Sequence, residues 1–174
     1  MRKIKNPWTD KEGYDCYGCC HDNPIGLHMD FYEDGDDIVC FWNPQQHFQG
    51  WVDTLHGGIQ STLIDEIASW VVFRKMSTTG VTSNLEVKFK KPVMTTENQI
   101  TLRAHLVELR RNIATIEVLT APYVRVARNA TAQCELLRPQ IAILSPFCTP
   151  LFSKRICNFS ILRATSWYCN VAPL

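Results

Sequence analysis

Two adjacent glycines and a carboxylate form the part of the sequence best suited to chemistry. Gly57 and Gly58 open an uninterrupted helical pattern, and Asp65 follows Gly57 by eight residues. The first N–H groups of a helix lack partners within the helix, and the helix dipole favours negative charge at that end. Glycine leaves these donors open to a carbonyl oxygen, and a carboxylate can activate water or act as a nucleophile. These two features suit hydrolysis at a carbonyl carbon.

The glycines and the carboxylate are too far apart to act on one carbonyl within a single chain. A helix rises about 1.5 Å per residue, so Asp65 lies roughly 12 Å along the axis from Gly57. A site assembled from two subunits removes this difficulty, because each chain supplies one half. The spacing therefore predicts a dimer, or a dimer of dimers, with shared sites.

The helix that carries these residues is predicted to run from Gly57 to about Met76. Its apolar residues cover about half of the helical wheel. They are Ile59, Leu63, Ile64, Ile67, Ala68, Trp70 and Val71. The other half holds Ser61, Thr62, Asp65, Glu66 and Ser69, for which a solvated face is the simplest structural interpretation.

A short strand at 38–42 precedes the helix, and four segments with the period of half-buried strands follow it. In the first of these, Leu85, Val87 and Phe89 form the apolar face and Pro92 closes the strand. The others span about 100–106, 114–118 and 124–137. Short connections between consecutive strands predict a largely antiparallel sheet. We therefore predict an α+β domain whose sheet wraps around one long central helix.

This order of elements resembles the hotdog fold, and several motifs resemble those of PaaI-like acyl-CoA thioesterases. The resemblance covers about residues 16–137. Its motifs are Leu-His-Gly-Gly-Ile at 55–59, Thr-Leu-Ile-Asp-Glu at 62–66, Cys-Tyr-Gly-Cys at 16–19, Asn-Pro-Ile-Gly-Leu at 23–27, Gly-Val-Thr at 80–82 and Phe-Lys-Lys-Pro-Val at 89–93.

The resemblance implies an acyl-CoA (or acyl-carrier) thioesterase whose site lies at a dimer interface. Asp65 falls on the position of the catalytic acid, and Gly57 on that of the amide that polarises the carbonyl from the opposite subunit. Glu66 is a reserve candidate for the acid. The expected substrate-binding residues are His56, Gly58, Thr82, Ser83, His47 and Gln49, with His56 also able to cap the helix or orient the loop.

One position departs from the family pattern. Relatives often carry Asn six residues before the histidine of the His-Gly-Gly motif, and this chain has Gly50 there. A different residue must then orient water, and Gln46, His47 and Gln49 are near in sequence. Coenzyme A would bring phosphates that two basic clusters could meet. These clusters are Lys88, Lys90 and Lys91, and Arg110 and Arg111.

Two other functions remain open at this stage. One is a non-catalytic acyl-CoA binding protein with the same fold, because fold alone does not determine function. The other is a hotdog dehydratase or hydratase, suggested by His47-Phe48. Such enzymes pair that histidine with a carboxylate about fourteen residues later on the helix, where this chain has Ser61.

The cysteines suggest half of a metal site. Cys16, Cys19, Cys20 and His21 are close in sequence, but a structural zinc site needs four ligands, usually as two spaced pairs. No second pair follows. We therefore expect a packing turn at 16–19, no metal and no cofactor. A chain with an adequate core and no export signal does not need disulfides, so we also expect reduced cysteines.

Composition narrows the class of protein and divides the chain. The 174 residues carry a formal net charge of +1, without the basic excess of a nucleic-acid-binding protein. No apolar run approaches the roughly 20 residues of a membrane span, and no signal core follows the basic start, so we expect a cytoplasmic protein without membrane or nucleic-acid partners.

All 17 acidic residues lie at or before Glu135. We therefore place the domain at 1–138 and treat 139–174 as an atypical basic tail of unknown structure.

Overall fold

A seven-stranded antiparallel sheet packs against a single 20-residue helix in the computed structural model, which describes residues 1–121 and 128–136. The tail predicted at 139–174 lies outside these residues. Helix α1 spans Gly57–Met76, as predicted. The strands, in chain order, are β1 Arg2–Lys3, β2 Phe31–Asp34, β3 Asp37–Trp42, β4 Gln49–Trp51, β5 Thr54–Leu55, β6 Gly80–Val87, β7 Ile100–Arg110, β8 Ile113–Ala121 and β9 Arg128–Leu136.

The spatial order of the large sheet is β1-β2-β3-β7-β8-β9-β6, and all of its pairings are antiparallel. Strands β4 and β5 form a separate hairpin directly before α1. One long helix against one long antiparallel sheet is the hotdog architecture, so the predicted fold class is confirmed.

The helix buries its apolar half against the sheet. Its buried residues are Leu63, Ile64, Ile67, Ala68, Trp70, Val71 and Val72. The sheet contributes Ile38, Cys40, Leu102, Ala104, Ile116, Val118 and Ala132 to the same core. Full burial of one large aliphatic side chain contributes roughly 1.5–3 kcal/mol, so this interface holds the helix firmly at the centre of the fold.

The first strand after the helix differs from its prediction in position and length. β6 pairs with β9 at the end of the sheet rather than with β7, and the chain needs residues 88–99 to cross to β7. β6 also ends at Val87, so Phe89 is not part of its apolar face; 56% of Phe89 is exposed. The prediction was wrong here because the alternation of residues 85–89 continues past the last residue that has a pairing partner.

Both ends of α1 are stabilised by specific interactions. At the start, His56 is the N-cap residue, and its Nδ1 accepts a hydrogen bond of 2.9 Å from the Gly58 N–H. At the end, Ser77 adopts the left-handed conformation, with φ of 52°. Arg74 in the last turn donates to Glu33 of β2 at 3.1 Å, which also suits the negative end of the helix dipole. The described part of the chain contains no helix with the length and hydropathy of a membrane span.

Candidate active site

The β4–β5 hairpin holds the start of α1 in place. The His56 N–H donates to the Phe48 carbonyl at 2.9 Å, and the Gln60 side chain donates to the Leu55 carbonyl at 3.1 Å. Of the two glycine N–H groups at the helix start, that of Gly58 is bound to His56 Nδ1, and that of Gly57 finds no acceptor among the described residues. The geometry therefore leaves one glycine amide for a ligand rather than two.

Gly50 stands where the family pattern has Asn, and the structure gives a physical reason for glycine. A Cβ atom at this position would lie 2.8 Å from Cδ2 of the His56 ring, closer than real Cβ contacts. Strand β4 thus passes directly over the capping histidine. A side chain at position 50 would displace the ring that holds the Gly58 N–H.

An open groove of about 630 Å³ lies beside the helix start. It brings together three of the predicted binding residues: His47 just before β4, Gln49 at the start of β4, and His56 directly before α1. Its remaining lining is mostly apolar: Tyr17, Pro24, Ile25, Phe48 and Ile59. A volume of this size and a mainly apolar lining suit an extended, mainly apolar ligand.

The two glutamines near Gly50 have their amides engaged within the loop. Gln46 Nε2 donates to Asp53 Oδ1 at 2.9 Å, and Gln49 Oε1 accepts from the Asp53 N–H at 3.2 Å. Gln46 Oε1 also accepts a hydrogen bond from Thr95. Three residues were suggested to replace the loop Asn. Among the described residues, the exposed ring of His47 forms no comparable hydrogen bond within the loop, so His47 is the one that remains available.

Asp65 lies on the face of α1 that meets strand β6. Thr82 of β6 donates a hydrogen bond of 2.5 Å from its hydroxyl to Asp65 Oδ1, which leaves Oδ2 for other partners. Behind this pair, the Cys134 thiol lies 3.8 Å from the Thr82 hydroxyl, and burial raises the pKa of that thiol. The structure therefore pairs two predicted site residues and fixes the orientation of the carboxylate.

Ser83, the neighbour of Thr82, is directed differently. Its hydroxyl donates to the Gln133 carbonyl at 3.1 Å, because alternate residues of a strand point to opposite faces. The structure does not bring Ser83 to Asp65.

Glu66 is not on a solvated face, contrary to the simplest interpretation of the helical wheel. The N-terminal turn covers it: Cys16 Sγ lies 3.6 Å from Glu66 Oε1, and the Trp70 indole donates to the same oxygen at 3.1 Å. Burial raises the pKa of the Glu66 carboxyl to about 7. A hydrogen bond from the Cys19 thiol, 3.4 Å away, lowers the pKa of the Cys16 thiol to about 5. Sequence reasoning missed this cluster because no local spacing links residues 16–19 to the helix.

The basic run after β6 approaches the helix start. The Phe89 ring would lie 3.4 Å from a Cβ atom placed on Gly57, so residue 89 borders the free amide. Lys88 forms an exposed ion pair of 3.0 Å with Glu86. Lys90 and Lys91, the two residues directly after Phe89, are both exposed.

The predicted residues thus form two groups at different levels of α1. His47, Gln49, His56 and Gly57 lie at its first turn, and Asp65 with Thr82 lies about two turns further on. In this single chain, the glycine amide and the carboxylate do not face a common point.

The comparisons with known proteins indicate the same superfamily as the fold does. A thioesterase superfamily model matches residues 53–119. The matched range contains all of α1 and both members of the Asp65–Thr82 pair. No curated protein sequence matches the chain.

Several solved structures resemble the chain. A thioesterase of Haemophilus influenzae is 19% identical, with a TM-score of 0.57 over 64% of this chain and 79% of that chain. A phenylacetic acid degradation-related protein of Ralstonia eutropha is 18% identical, with a TM-score of 0.56 over 64% and 86%. A hypothetical thioesterase of Streptococcus pneumoniae, solved with coenzyme A, is 19% identical, with a TM-score of 0.56 over 62% and 87%. At these identities the likeness establishes the fold, and the superfamily match supports thioester hydrolysis as the general chemistry.

Proposed function

We propose that the chain is a cytoplasmic acyl-CoA thioesterase of the PaaI-like type that works as a dimer or a dimer of dimers. The observation that carries the proposal is the carboxylate of Asp65, which Thr82 orients on the polar face of the central helix. The same helix begins with a glycine whose N–H is available for a carbonyl oxygen. The two groups supply the acid–base and the electrostatic parts of thioester hydrolysis.

The Gly57 amide would bind the oxygen of the thioester carbonyl. Negative charge develops on this oxygen as the carbon is attacked, and a fixed N–H donor at a positive helix end stabilises that charge. A glycine is suited to this place because the carbonyl can approach the backbone without meeting a side chain.

Asp65 of the partner subunit would act on the same carbonyl from the other side. As a base, the carboxylate would take a proton from the attacking water and return it to the sulfur of coenzyme A as the C–S bond breaks. As a nucleophile, it would form a mixed anhydride with release of the coenzyme A thiolate, which takes a proton from water, and a second water would then hydrolyse the anhydride. A shared site is required because Asp65 lies roughly 12 Å along the helix from Gly57 of its own chain. Within the part of the chain that the structure describes, strand β6 is paired on one side only, and 54% of Val81 on this strand is exposed, so this edge is a suitable contact for a second subunit.

The groove and the basic run suit the remainder of the substrate. The apolar groove beside His47 and His56 would receive an acyl chain or the pantetheine arm. Lys90 and Lys91 lie next to the Phe89 that borders Gly57, where phosphates of coenzyme A would gain charge-assisted hydrogen bonds. The Streptococcus pneumoniae neighbour solved with coenzyme A adds weight to this substrate class.

A hotdog dehydratase or hydratase would require a carboxylate about fourteen residues after His47, and this chain has none there. Ser61 occupies that helix position, and its hydroxyl donates to the Gly57 carbonyl at 2.9 Å. An activity assay distinguishes the other alternative, a non-catalytic acyl-CoA binding protein, from a thioesterase.

The test follows the release of free thiol from a series of acyl-CoA esters, with wild type, Asp65→Asn and the control Ser69→Ala. Ser69 lies one turn from Asp65 on the same helix face, and its hydroxyl bonds only to the Asp65 backbone carbonyl among the described residues. We expect Asp65→Asn to lose at least about a hundredfold in turnover, the lower range for loss of a general base, while Ser69→Ala keeps its rate. Full activity of Asp65→Asn would contradict the assigned role, and binding without hydrolysis in wild type would favour the binding protein.

A further inference from the structure

We propose that Cys16, Cys19 and Glu66 form a zinc site that fastens the N-terminal turn to helix α1. The inference is independent of the proposed thioesterase activity. The sequence alone offered two cysteines without a second pair of ligands; the fold supplies a third ligand from a helix 50 residues away.

The three ligand groups lie close to the spacing that the ligands of a tetrahedral zinc ion require. The two Sγ atoms are 3.4 Å apart, and Cys16 Sγ lies 3.6 and 3.7 Å from the two oxygens of Glu66. One ligand atom from each of the three residues can be chosen so that all lie within 4.8 Å of one another. With Zn–S near 2.3 Å and Zn–O near 2.0–2.2 Å, neighbouring ligand atoms of a zinc site lie roughly 3.5–3.8 Å apart.

The chemistry of the donor set also suits zinc. Two thiolates and a carboxylate match the ligands that Zn²⁺ takes in proteins, whereas Mg²⁺ and Ca²⁺ prefer oxygen ligands alone. Cys19 is buried, while Cys16 is half-buried, so water can reach the ion on the Cys16 side and complete its coordination. Both cysteines would bind the ion as thiolates.

Hydrogen bonds from residues around the cluster orient two of the three ligands. The Trp70 indole N–H donates to Glu66 Oε1 at 3.1 Å and leaves Oε2 for the ion. The Tyr14 hydroxyl lies 2.9 Å from Cys19 Sγ, and Asn6 in turn donates to that hydroxyl at 2.9 Å. Such second hydrogen-bonding partners are a regular feature of protein metal sites.

Gly18 shows how closely the turn and the carboxylate are fitted together. A Cβ atom at this position would lie 2.5 Å from Cδ of Glu66. Gly18 does not have the positive φ that often explains a glycine, so close approach is the reason for this residue type here. The carboxylate is thus brought against the backbone between the two cysteines.

A metal at this position would also shape the groove. Tyr17, between the two cysteines in sequence, lines the groove beside His47 and His56. Its carbonyl accepts a hydrogen bond of 2.7 Å from the Leu27 N–H. Fastening residues 16–19 to α1 would therefore hold one wall of the groove in place.

The experiment titrates the reduced full chain with Zn²⁺, and with Co²⁺ as a spectroscopic probe. Wild type is compared with Cys16→Ser, Cys19→Ser, Glu66→Gln and the matched control Cys20→Ala. Cys20 belongs to the same turn, but its thiol bonds to the Tyr14 carbonyl instead of the cluster. Circular dichroism of each variant checks that it is folded.

We expect one ion per wild-type chain and thiolate-to-cobalt absorption bands in the near ultraviolet. The bands should vanish in Cys16→Ser and Cys19→Ser. The Zn²⁺ affinity of these variants should be at least about a hundredfold weaker, because loss of a residue that only hydrogen-bonds to a ligand typically costs roughly 10–100-fold. Glu66→Gln should weaken binding by at least about tenfold with the fold intact, and Cys20→Ala should bind as wild type does.

The proposal is overturned if reduced wild type gives no thiolate–cobalt bands, or if Cys16→Ser and Cys20→Ala bind Zn²⁺ equally. It is also overturned if Cys16 and Cys19 form a disulfide in air that an excess of Zn²⁺ does not prevent, since the pair would then be a redox dithiol. If a cysteine variant fails to fold, the wild-type cobalt spectrum and the fall in Tm on adding a chelator still decide the question.

Discussion

The Thr82 hydroxyl donates a 2.5 Å hydrogen bond to the Asp65 carboxylate and so joins the edge strand of the sheet to the middle of the central helix. The bond has two effects. It orients a carboxylate on the polar face of the helix, and it occupies one oxygen, so that the other remains for a further partner. Each effect can be tested separately from the presence of the carboxylate itself.

Replacing Thr82 by Val removes this donor with little change in shape. A hydrogen bond to a charged group contributes about 1.5–3 kcal/mol, so we expect a roughly tenfold or greater fall in kcat with a smaller change in KM. Thr115→Val is the matched control, because Thr115 is a half-buried strand threonine between the core residues Ala114 and Ile116. Equal loss of activity in both variants, measured by thiol release, would show that Thr82 acts through stability only.

Replacing Gly57 by Ala separates catalysis from folding. The added methyl group would meet Phe89 at 3.4 Å, an ordinary contact, so the melting temperature should change little. The same methyl would stand beside the N–H proposed to bind the carbonyl oxygen, and we expect kcat to fall by roughly a hundredfold, as for loss of one oxyanion donor.

Gly58→Ala provides the contrast for this experiment. Its methyl group would come within 2.9 Å of His56 Nδ1 and disturb the helix cap, so this variant should lower the melting temperature measurably. An active Gly57→Ala enzyme would remove Gly57 from the proposed site.

The shared site can be tested by mixing two inactive proteins, Asp65→Asn and Gly57→Val. In a mixed dimer, one site would combine the intact Asp65 with the intact Gly57, and the other would carry both defects. Random exchange makes half of the dimers mixed, so recovery of up to about a quarter of wild-type activity is expected. Absence of recovery despite subunit exchange confirmed by mass spectrometry, or full activity at a sedimentation mass of 20.0 kDa, would exclude a shared site.

The basic run after β6 distinguishes coenzyme A from simpler thioesters. Lys90→Gln combined with Lys91→Gln should raise KM for an acyl-CoA several-fold, yet leave KM for the corresponding acyl-pantetheine unchanged, because only the former carries phosphates that lysine can bind. The effect should weaken at high salt. Lys11→Gln, which alters an exposed lysine in the N-terminal segment, is the control; an equal change with both substrates would place the phosphates elsewhere.

The elements with strong periodicity were predictable from the sequence. The limits of α1 and the buried faces of β7 and β8 follow from residue patterns that repeat over several turns or strand positions. The position of β6 did not follow from them, because alternation specifies that a segment is a strand but not which strand it pairs with. The sheet order depends instead on the twelve-residue crossing at 88–99, which carries no periodic signal.

The site shows the same division between local and long-range information. Asp65 and Gly57 could be proposed from spacing within one helix, and the cap by His56 follows from its position directly before the glycines. The surroundings of Glu66 could not, since its polar character suggested solvent and only the fold brings the N-terminal turn across it. Likewise, the reason for Gly50 became evident only when the His56 ring was found beneath it.

The contact between Gly18 and Glu66 restricts how this sequence can change. Because a Cβ atom at position 18 would overlap the carboxyl group of residue 66, a larger residue at 18 requires a shorter one at 66. Conversely, once residue 66 is shortened, nothing in this contact demands glycine any longer. Among relatives that keep the N-terminal turn, the two positions should therefore covary, although 48 residues separate them in the chain.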